Sequence, residues 1–399
     1  MGKKSSCEII LGSYEEFILG FKYNKKEEEA QQTFAVHSHA GSIRCVTTCL
    51  DLLASGGADD RIVVYNLKTR KEHCLLTHHN GTVNCLQFTE DHTHLISGGQ
   101  DGMLAIIRVG NWQLEKVWEN AHKGAAILDI ALHSSGKLAL TLGADSTLRT
   151  WNLVKGRQAY VINLNSKSKE PKCLHSIKWA PDGQRFVLVG STYTDIWSID
   201  SGGVLKSIKH EYKVASCIWQ SDEKLIVGYE EGKFAIVNVG SPTDEDDQII
   251  VHDGHSSRVK CMAMHGNKLV TASSTGEIKV WSAKLKQLCV ANAGCRFTCM
   301  CLVSMENEKV DESLVVEEEI EEINEEEIVA KGKKKKKRVS IIIEDEEEKI
   351  KVKKGKKKLI EEDNDDEVIV IKEKDEIKPK KQDKKVKKPQ KKKLKQKVC

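Results

Sequence analysis

The sequence predicts an all-β fold: a closed β-propeller of seven four-stranded blades over residues 1–305, followed by a disordered, charged C-terminal tail. Three observations lead to this prediction. A strand-and-turn template recurs at intervals of about 40–45 residues, which is typical of propeller blades. Strand-like runs at the two ends of the same region can complete one further sheet. After Met305 the composition changes abruptly to a dense mixture of acidic residues and lysines.

The template is a strand of small residues that reaches Ser or Thr, with Asp or a substitute four residues later and Trp or an apolar residue six residues after that. The four clearest copies are Ser55, Asp59 and Tyr65; Ser97, Asp101 and Ile107; Thr141, Asp145 and Trp151; and Thr271, Thr275 and Trp281. Two fainter copies are Val187, Ser191 and Trp197, and Val227, Glu231 and Val237. The last positions are 42, 44, 46, 40 and 44 residues apart, which disfavours a helical repeat of about 34 residues.

A histidine precedes each of the four clear copies: His39, His79, His122 and His255. With it, the residues resemble the WD-repeat family, whose His, Ser/Thr, Asp and Trp form a hydrogen-bonded network inside a blade. The resemblance implies that Asp145 holds a turn and binds His122. Thr141 would then link that histidine to the Trp151 indole. The same structural role is implied for His39, Ser55, Asp59, His255, Thr271 and Trp281. The blades at 175–208 and 211–240 lack most of these residues and are expected to depend mainly on apolar packing.

The two ends of this region predict how the ring closes. Strand-like runs at 7–14, 15–23 and 32–39 precede the first copy, and another at 295–303 follows the last. Unpaired sheet edges favour aggregation, and propellers close by pairing both chain ends in one blade. We therefore expect the N-terminal strands within 7–39 and the C-terminal strand to form a seventh blade. A six-bladed ring is the alternative.

No catalytic or cofactor site is predicted. His122, Asp145 and Thr141 superficially resemble a catalytic triad. The same residue types recur in several blades, however, whereas a nucleophile would be unique and would lie in one cleft. No glycine-rich phosphate loop opens a helix. The pattern therefore predicts a protein that is not an enzyme and that needs no cofactor.

The cysteines and the hydropathy exclude further classes. The 13 cysteines are scattered, and the closest cluster, Cys295, Cys299 and Cys301, lacks the paired spacing of a zinc site. We therefore expect no metal, and reduced thiols buried in strands. No apolar run approaches the roughly 18 residues of a membrane span, so no membrane association is predicted.

A propeller without catalytic residues is a rigid ring whose loops present binding surfaces. We expect partner contacts on the face that carries the loops between blades, together with the mouth of the central channel. Three cations follow blade-initial histidines and are candidates for this rim: Arg44, Lys123 and Arg258. The alternative for each is a solvated surface charge.

The remaining residues divide into an acidic linker, 306–330, and a lysine-rich tail, 331–399. Residues 306–329 contain 12 acidic residues and one lysine, and the tail contains 28 basic and 15 acidic residues. Such a segment cannot bury enough apolar surface to offset its chain entropy, so both parts are predicted to be disordered.

The densest cationic run of the tail indicates nuclear import or contact with an RNA backbone; it comprises Lys333, Lys334, Lys335, Lys336, Lys337 and Arg338. No aromatic residue lies among these lysines, so no platform for base stacking is predicted. The apolar islands 339–343 and 368–371 resemble motifs that bind small ubiquitin-like modifiers, with an incidental apolar patch as the alternative. Ser340 lies in a sequence typical of basophilic kinase sites.

Four longer segments indicate which family of WD-repeat proteins the sequence resembles. LGSYEEFILGFKY (11–23), HHNGTVNCLQF (78–88), HLISGGQDG (94–102) and HSSGKLALTLGADSTLRTWNLVKGR (133–157) resemble the p21-activated protein kinase-interacting protein family. That family comprises nuclear WD-repeat proteins of large ribosomal subunit assembly. The resemblance implies a nucleolar scaffold that binds pre-60S ribosomal proteins, assembly factors and rRNA, as a monomer within a larger complex. The alternative it implies is a signalling adaptor that negatively regulates p21-activated protein kinase by binding the regulatory domain of that kinase.

Overall fold

A computed structural model describes residues 6–24, 28–240 and 249–305. These residues form 28 strands in seven antiparallel sheets of four strands each. Within them the one helical element is a short 3-10 turn, Leu164–Ser166. The predicted all-β, seven-bladed propeller is confirmed. The expectations for the linker 306–330 and the tail 331–399, including the cationic run, lie outside the described residues.

Blade 1 is the sheet that joins the two ends of the described chain. It contains β1 (Ser6–Ser13), β2 (Phe17–Asn24), β3 (Glu29–His37) and β28 (Phe297–Met305), in the spatial order β28-β1-β2-β3. β1 and β28 are antiparallel, with Ile9 opposite Leu302 and Leu11 opposite Met300. The ring is therefore closed by three N-terminal strands and one strand from the other end of the propeller.

The other six blades each use four consecutive strands. Blades 2 to 4 contain β4 (Ile43–Cys49), β5 (Leu52–Gly57), β6 (Ile62–Asn66) and β7 (Lys71–Leu76); β8 (Val83–Phe88), β9 (His94–Gly99), β10 (Leu104–Arg108) and β11 (Leu114–Trp118); and β12 (Ile127–Leu132), β13 (Leu138–Gly143), β14 (Thr147–Asn152) and β15 (Arg157–Asn163). Blades 5 to 7 contain β16 (Ser176–Trp179), β17 (Arg185–Val189), β18 (Tyr193–Ser198) and β19 (Gly203–Lys209); β20 (Val214–Ser221), β21 (Lys224–Tyr229), β22 (Lys233–Asn238) and β23 (Ile250–Asp253); and β24 (Val259–His265), β25 (Lys268–Ser273), β26 (Glu277–Trp281) and β27 (Gln287–Asn292).

The first strand of each blade, which is β28 in blade 1, is the innermost. It contacts the innermost strands of both neighbouring blades, so these seven strands surround the central channel. The second strands, such as β5 and β13, are buried along nearly their whole length. The outermost strands, such as β15, expose almost every residue. Because neighbouring blades cover both faces of a second strand, its sequence is apolar or small throughout rather than alternating.

Close packing between blades explains the small residues at the ends of these buried strands. A Cβ added to Gly56 in β5 would lie 2.7 Å from Cγ1 of Val83, which belongs to the next blade. Gly228 in β21 is enclosed in the same way, 2.8 Å from Cγ1 of Val259. Small residues at these positions therefore let one blade stack on the next.

The junction between blades 1 and 2 holds a buried carboxylate that the sequence pattern did not indicate. Glu8 in β1 is 1% exposed. Arg70 donates from Nη2 to both carboxylate oxygens of Glu8, over 3.0 and 2.9 Å, and its guanidinium lies 4.6 Å from the centre of the Phe34 ring. The Thr33 hydroxyl also donates to Glu8. Because a buried charge is tolerated only when paired, this contact holds blade 1 against blade 2.

Candidate binding surface

Four side chains of blade 4 form one continuous hydrogen-bonded network. His122 Nδ1 lies 3.0 Å from Asp145 Oδ1, and His122 Nε2 lies 2.8 Å from Thr141 Oγ1. The Trp151 indole N–H donates to the same threonine oxygen over 2.8 Å. His122, Thr141 and Trp151 are almost completely buried. The network therefore joins the loop before β12 to β13 and β14, and fixes their register.

The network places a neutral imidazole beside an ionised carboxylate. Burial lowers the pKa of His122, and this effect outweighs the rise that Asp145 alone would cause. Burial acts to raise the pKa of Asp145, but hydrogen bonds from Thr147 and His122 bring it below its ordinary value. A general acid or base works best with a pKa near the working pH. The arrangement therefore suits a structural role better than proton transfer.

Blades 2 and 3 repeat the arrangement with serine in place of threonine. His39 Nε2 lies 2.7 Å from Ser55 Oγ, and His39 Nδ1 lies 2.9 Å from Asp59 Oδ1. The corresponding residues of blade 3 are His79, Ser97 and Asp101, with both separations 2.9 Å. Recurrence in three blades is what a structural unit requires and what a single catalytic site would not show.

Blade 7 completes its network with a carboxylate from a different position. His255 Nδ1 lies 2.6 Å from Glu277 Oε2, while His255 Nε2 lies 2.7 Å from Thr271 Oγ1. The Trp281 indole donates to Thr271 over 2.8 Å. Thr275, at the template position, instead contacts the hydroxyls of two serines. The sequence template missed Glu277, although an acidic residue two positions beyond Thr275 was a usable signal.

Blades 5 and 6 share a buried polar contact that the sequence did not indicate. His210, which is 2% exposed, precedes β20 as the other histidines precede their blades. Its Nε2 lies 2.9 Å from Thr194 Oγ1 in blade 5, and its Nδ1 lies 3.0 Å from the Tyr229 hydroxyl in blade 6. Burial lowers the pKa of His210 to about 4. Apolar packing is therefore not the whole basis of this pair of blades.

The loops between blades and the turns between second and third strands lie on one side of the ring, the upper face, because the network histidines of the loops contact the carboxylates of the turns. The predicted rim cations lie here. Arg44 is exposed near the start of the innermost strand β4, and Lys123 is exposed in the loop before β12. Arg258 precedes β24 and pairs with Glu230 over 2.8 Å. Since the three belong to blades 2, 4 and 7, they do not form one cluster.

The loop that joins blades 4 and 5, residues 164–175, adds a feature that sequence reasoning missed. Asp195, 1% exposed, accepts hydrogen bonds from Ser168 in this loop and from Ser207 in β19. Glu170 accepts from the backbone N–H and the hydroxyl of Thr192, over 2.7 and 2.6 Å. Two carboxylates therefore anchor the loop to blade 5. The signal in the sequence was KSKEPK (167–172), a charged run within the propeller region.

A pocket of about 430 Å³ opens on the upper face between this loop and the turn of blade 4 that carries Asp145. Its apolar lining comes from Leu128, Pro171 and Leu174, and Lys172 lies at its edge. Leu174 is buried, whereas Leu128 and Pro171 are partly exposed. The pocket is therefore a partly apolar cleft beside a cationic loop.

Comparison of the sequence with known proteins assigns the chain to a family. The WD domain, G-beta repeat model matches residues 70–107, 112–152 and 247–282. A zebrafish (Danio rerio) protein named p21-activated protein kinase-interacting protein 1-like is 32% identical over 74% of this chain and 80% of its own length. The chain belongs to the p21-activated protein kinase-interacting protein 1 family. The human member of the family is 31% identical, over 73% of this chain and 76% of its own length.

A more distant relative of the family is the Shk1 kinase-binding protein 15 of Schizosaccharomyces pombe, 27% identical over 78% of this chain and 88% of its own length. The relatives are named as interacting or binding proteins, and the WD-repeat propeller is typically a non-enzymatic scaffold. In the described part of the chain, no group of three or more His, Cys, Asp or Glu residues is arranged to hold a metal. No helix within the same residues is long and apolar enough to cross a membrane.

Proposed function

We propose that this chain is a non-enzymatic scaffold that binds partner proteins through the upper face of its ring and acts in nucleolar assembly of the large ribosomal subunit. The observation that carries the proposal is that the histidines and carboxylates that could act in catalysis are used in structural contacts instead. The His–carboxylate pairs of blades 2, 3, 4 and 7 are engaged inside the blades, whereas the upper face presents a pocket and exposed cations. Such a ring offers surfaces for binding rather than a site for turnover.

The ribosomal part of the proposal is supported by the family resemblance of the sequence and by the cationic run Lys333–Arg338. That run suits nuclear import, and the lysines of the tail suit sequence-independent contact with the rRNA backbone. The partners of the ring would be pre-60S ribosomal proteins and assembly factors. We expect the protein in the nucleus and the nucleolus, as one copy in a larger complex.

The test is purification of the tagged full-length chain from cells, followed by gradient sedimentation and identification of the associated RNA and proteins. We expect co-sedimentation with large-subunit precursors and a nucleolar signal by microscopy. Exclusion from the nucleolus, or a chain that stays at the top of the gradient, would contradict the assembly role.

The second candidate function is a signalling adaptor that restrains a p21-activated protein kinase by binding the regulatory domain of the kinase. The names of the human and fission-yeast relatives favour this candidate. It predicts direct binding between the purified full-length chain and a purified kinase regulatory domain. Reduced kinase activation should accompany that binding, and absence of binding in this two-component assay would remove the candidate.

A further inference from the structure

We propose that the upper face of blades 4 and 5 binds an acidic polypeptide segment that places an apolar side chain in the pocket beside loop 164–175. The inference rests on the proposed scaffold function and names the chemistry of one partner. It concerns a single surface, defined by the turn that carries Asp145, by the loop before β12 and by loop 164–175. Charge, rigidity and pocket lining support it separately.

The charges of this surface are unbalanced in favour of cations. Its four lysines are exposed and form no ion pair within the described residues: Lys123, Lys167, Lys169 and Lys172. Of the nearby carboxylates, Glu119 in the loop before β12 is exposed, and the other two are already engaged. Asp145 contacts His122 and Arg149, and Glu170 is held by Thr192.

Two other cations of the upper face are neutralised within the chain. Arg258 pairs with Glu230, and Arg296 pairs with Glu15, each over 2.8 Å. Three further cations are exposed without an ion pair among the described residues, but they are spread over blades 2 and 6: Arg44, Arg61 and Lys213. The surface beside loop 164–175 differs in presenting four such cations on one loop and the loop next to it. Complementary charge favours association with an acidic segment and raises its rate.

The backbone that presents these lysines is already ordered. Asp195 holds Ser168, between Lys167 and Lys169, and Glu170 is held next to Lys169. A partner would therefore order lysine side chains but not the loop that carries them, which reduces the entropic cost of binding.

The pocket favours a polypeptide over RNA. Most of its lining is polar, from residues such as Asp145 and Asn165, and the apolar patch of Leu128, Pro171 and Leu174 has room for one aliphatic side chain. No aromatic residue lines it, whereas recognition of single-stranded RNA depends on stacking bases on aromatic side chains. The geometry therefore suits a segment in which carboxylates flank an apolar residue.

The test uses the full-length protein and fluorescence anisotropy at one fixed, low salt concentration. The probes are a labelled 16-residue peptide of Glu and Asp with one central Leu, the same peptide with Ser in place of Leu, and a labelled 16-nucleotide single-stranded RNA. The variant K169E/K172E reverses two charges of the surface. The matched control K155E/K284E makes the same charge change in exposed turns between third and outermost strands, on the opposite face. Both variants keep the lysine-rich tail, so binding of the probes to the tail contributes equally to every protein compared.

We expect K169E/K172E to weaken binding of the Leu peptide about tenfold and the control to change it less than twofold. The Leu peptide should bind wild type severalfold more tightly than the Ser peptide. The variant N165W, which places an indole at an exposed residue of the pocket lining, should remove that difference. All variants should keep the wild-type melting temperature, because the substituted side chains are exposed.

Three results would each overturn the proposal: equal loss in K169E/K172E and its control, equal binding of the Leu and Ser peptides, or a tenfold loss for RNA without a loss for the peptide. The last result would assign the surface to RNA. Co-sedimentation of the same variants with large-subunit precursors separates this inference from the proposed function. If peptide binding fails the test while wild type still co-sediments, the surface assignment is wrong and the scaffold role stands.

Discussion

At the scale of single residues, the polar core of the propeller depends on hydroxyl groups that serve two partners at once. Thr141 accepts from the Trp151 indole and contacts His122, and Thr271 does the same for Trp281 and His255. Where the template has no hydroxyl, the indole has no partner: in the copy that has Val187 at the Ser/Thr position, the buried Trp197 Nε1 makes no hydrogen bond. One hydroxyl per blade therefore decides whether the network is complete.

Replacing Thr141 with Val is expected to lower the free energy of unfolding by about 2–4 kcal/mol, because it leaves a buried indole N–H and a buried imidazole nitrogen unsatisfied. The shape of the side chain is retained, so no cavity contributes. The matched control is T150V in β14, where the threonine is half-buried and the expected change is within about 0.5 kcal/mol. Urea unfolding measures both variants, and equal costs would contradict the role given to Thr141.

The buried histidines make stability depend on pH in a predictable direction. Burial lowers the pKa of His210 to about 4 from an ordinary 6.5, so below pH 6.5 the unfolded chain takes up a proton that the folded chain refuses. The stabilisation is fully present above 6.5 and is lost as the pH falls toward 4. Lowering the pH from 7 to 5 should therefore reduce the free energy of unfolding by on the order of 2 kcal/mol through this one residue.

The variant H210Q isolates this contribution, because glutamine keeps hydrogen-bonding capacity without titrating in this range. Its unfolding free energy should fall less steeply than that of wild type between pH 7 and 5, by on the order of 2 kcal/mol. At pH 8 the variant should be the less stable of the two, since its contacts with Thr194 and Tyr229 are poorer. Parallel pH profiles for the two proteins would refute the assignment.

The residue template predicted the contacts of a blade where the expected residue types stand at the expected spacing. It missed a contact where a residue at another position supplies the equivalent side-chain group. The contacts expected at His122 are present because Asp145, Thr141 and Trp151 all occupy template positions. Glu277 was missed because a glutamate on the strand reaches the same imidazole that an aspartate reaches from the turn. The partners of His210 could not be read from one repeat, since Thr194 and Tyr229 belong to two different blades.

At the scale of strands and blades, each junction between neighbouring sheets of the described residues is mostly apolar, and the junction of blades 1 and 2 adds a buried carboxylate held by an ion pair. Glu8 and Arg70 come from a strand and a turn 62 residues apart. Strand positions and the ring-closing sheet could be inferred from periodicity and apolar runs. The pair of Glu8 and Arg70 could not be inferred, because nothing in the sequence around Glu8 indicates that this residue is buried.

Replacing Arg70 with Met should lower the free energy of unfolding by about 3 kcal/mol, because it leaves the buried Glu8 carboxylate without its cation. The double variant E8L/R70M should recover most of that loss, since apolar residues can replace a buried ion pair. The control is R296M, which removes an exposed ion pair with Glu15 and should cost much less than R70M. If R70M costs no more than R296M, the pair does not hold this junction.

At the scale of the whole molecule, the ring depends on one non-local sheet. β28 is the innermost strand of blade 1 and contacts β1, β4 and β24, so it belongs to the wall of the central channel. The sequence indicated this closure because complementary apolar runs stood outside the repeats. The binding surface at loop 164–175 was not indicated, because the template describes blades and says nothing of what a connecting loop presents.

Ending the chain after Gly294 should prevent a stable ring, because it removes β28 and leaves β1 as an unpaired edge of buried side chains. Ending it after Met305 keeps all 28 strands, and a cooperative melting transition near that of the full chain is expected. Thermal unfolding and size-exclusion chromatography compare the two truncated proteins. A well-folded monomer ending at Gly294 would contradict the role of β28 in closure.

The closing sheet also has a consequence for synthesis of the protein. Arg296 and Glu15, which meet beside this sheet, are 281 residues apart, and translation at about 5–20 residues per second separates their emergence by roughly a quarter of a minute to a minute. Throughout that interval β1 offers Ile9 and Leu11 on an open edge, which can pair with the wrong chain. A nascent chain of this design should therefore need a chaperone that shields its first strands until the last one arrives.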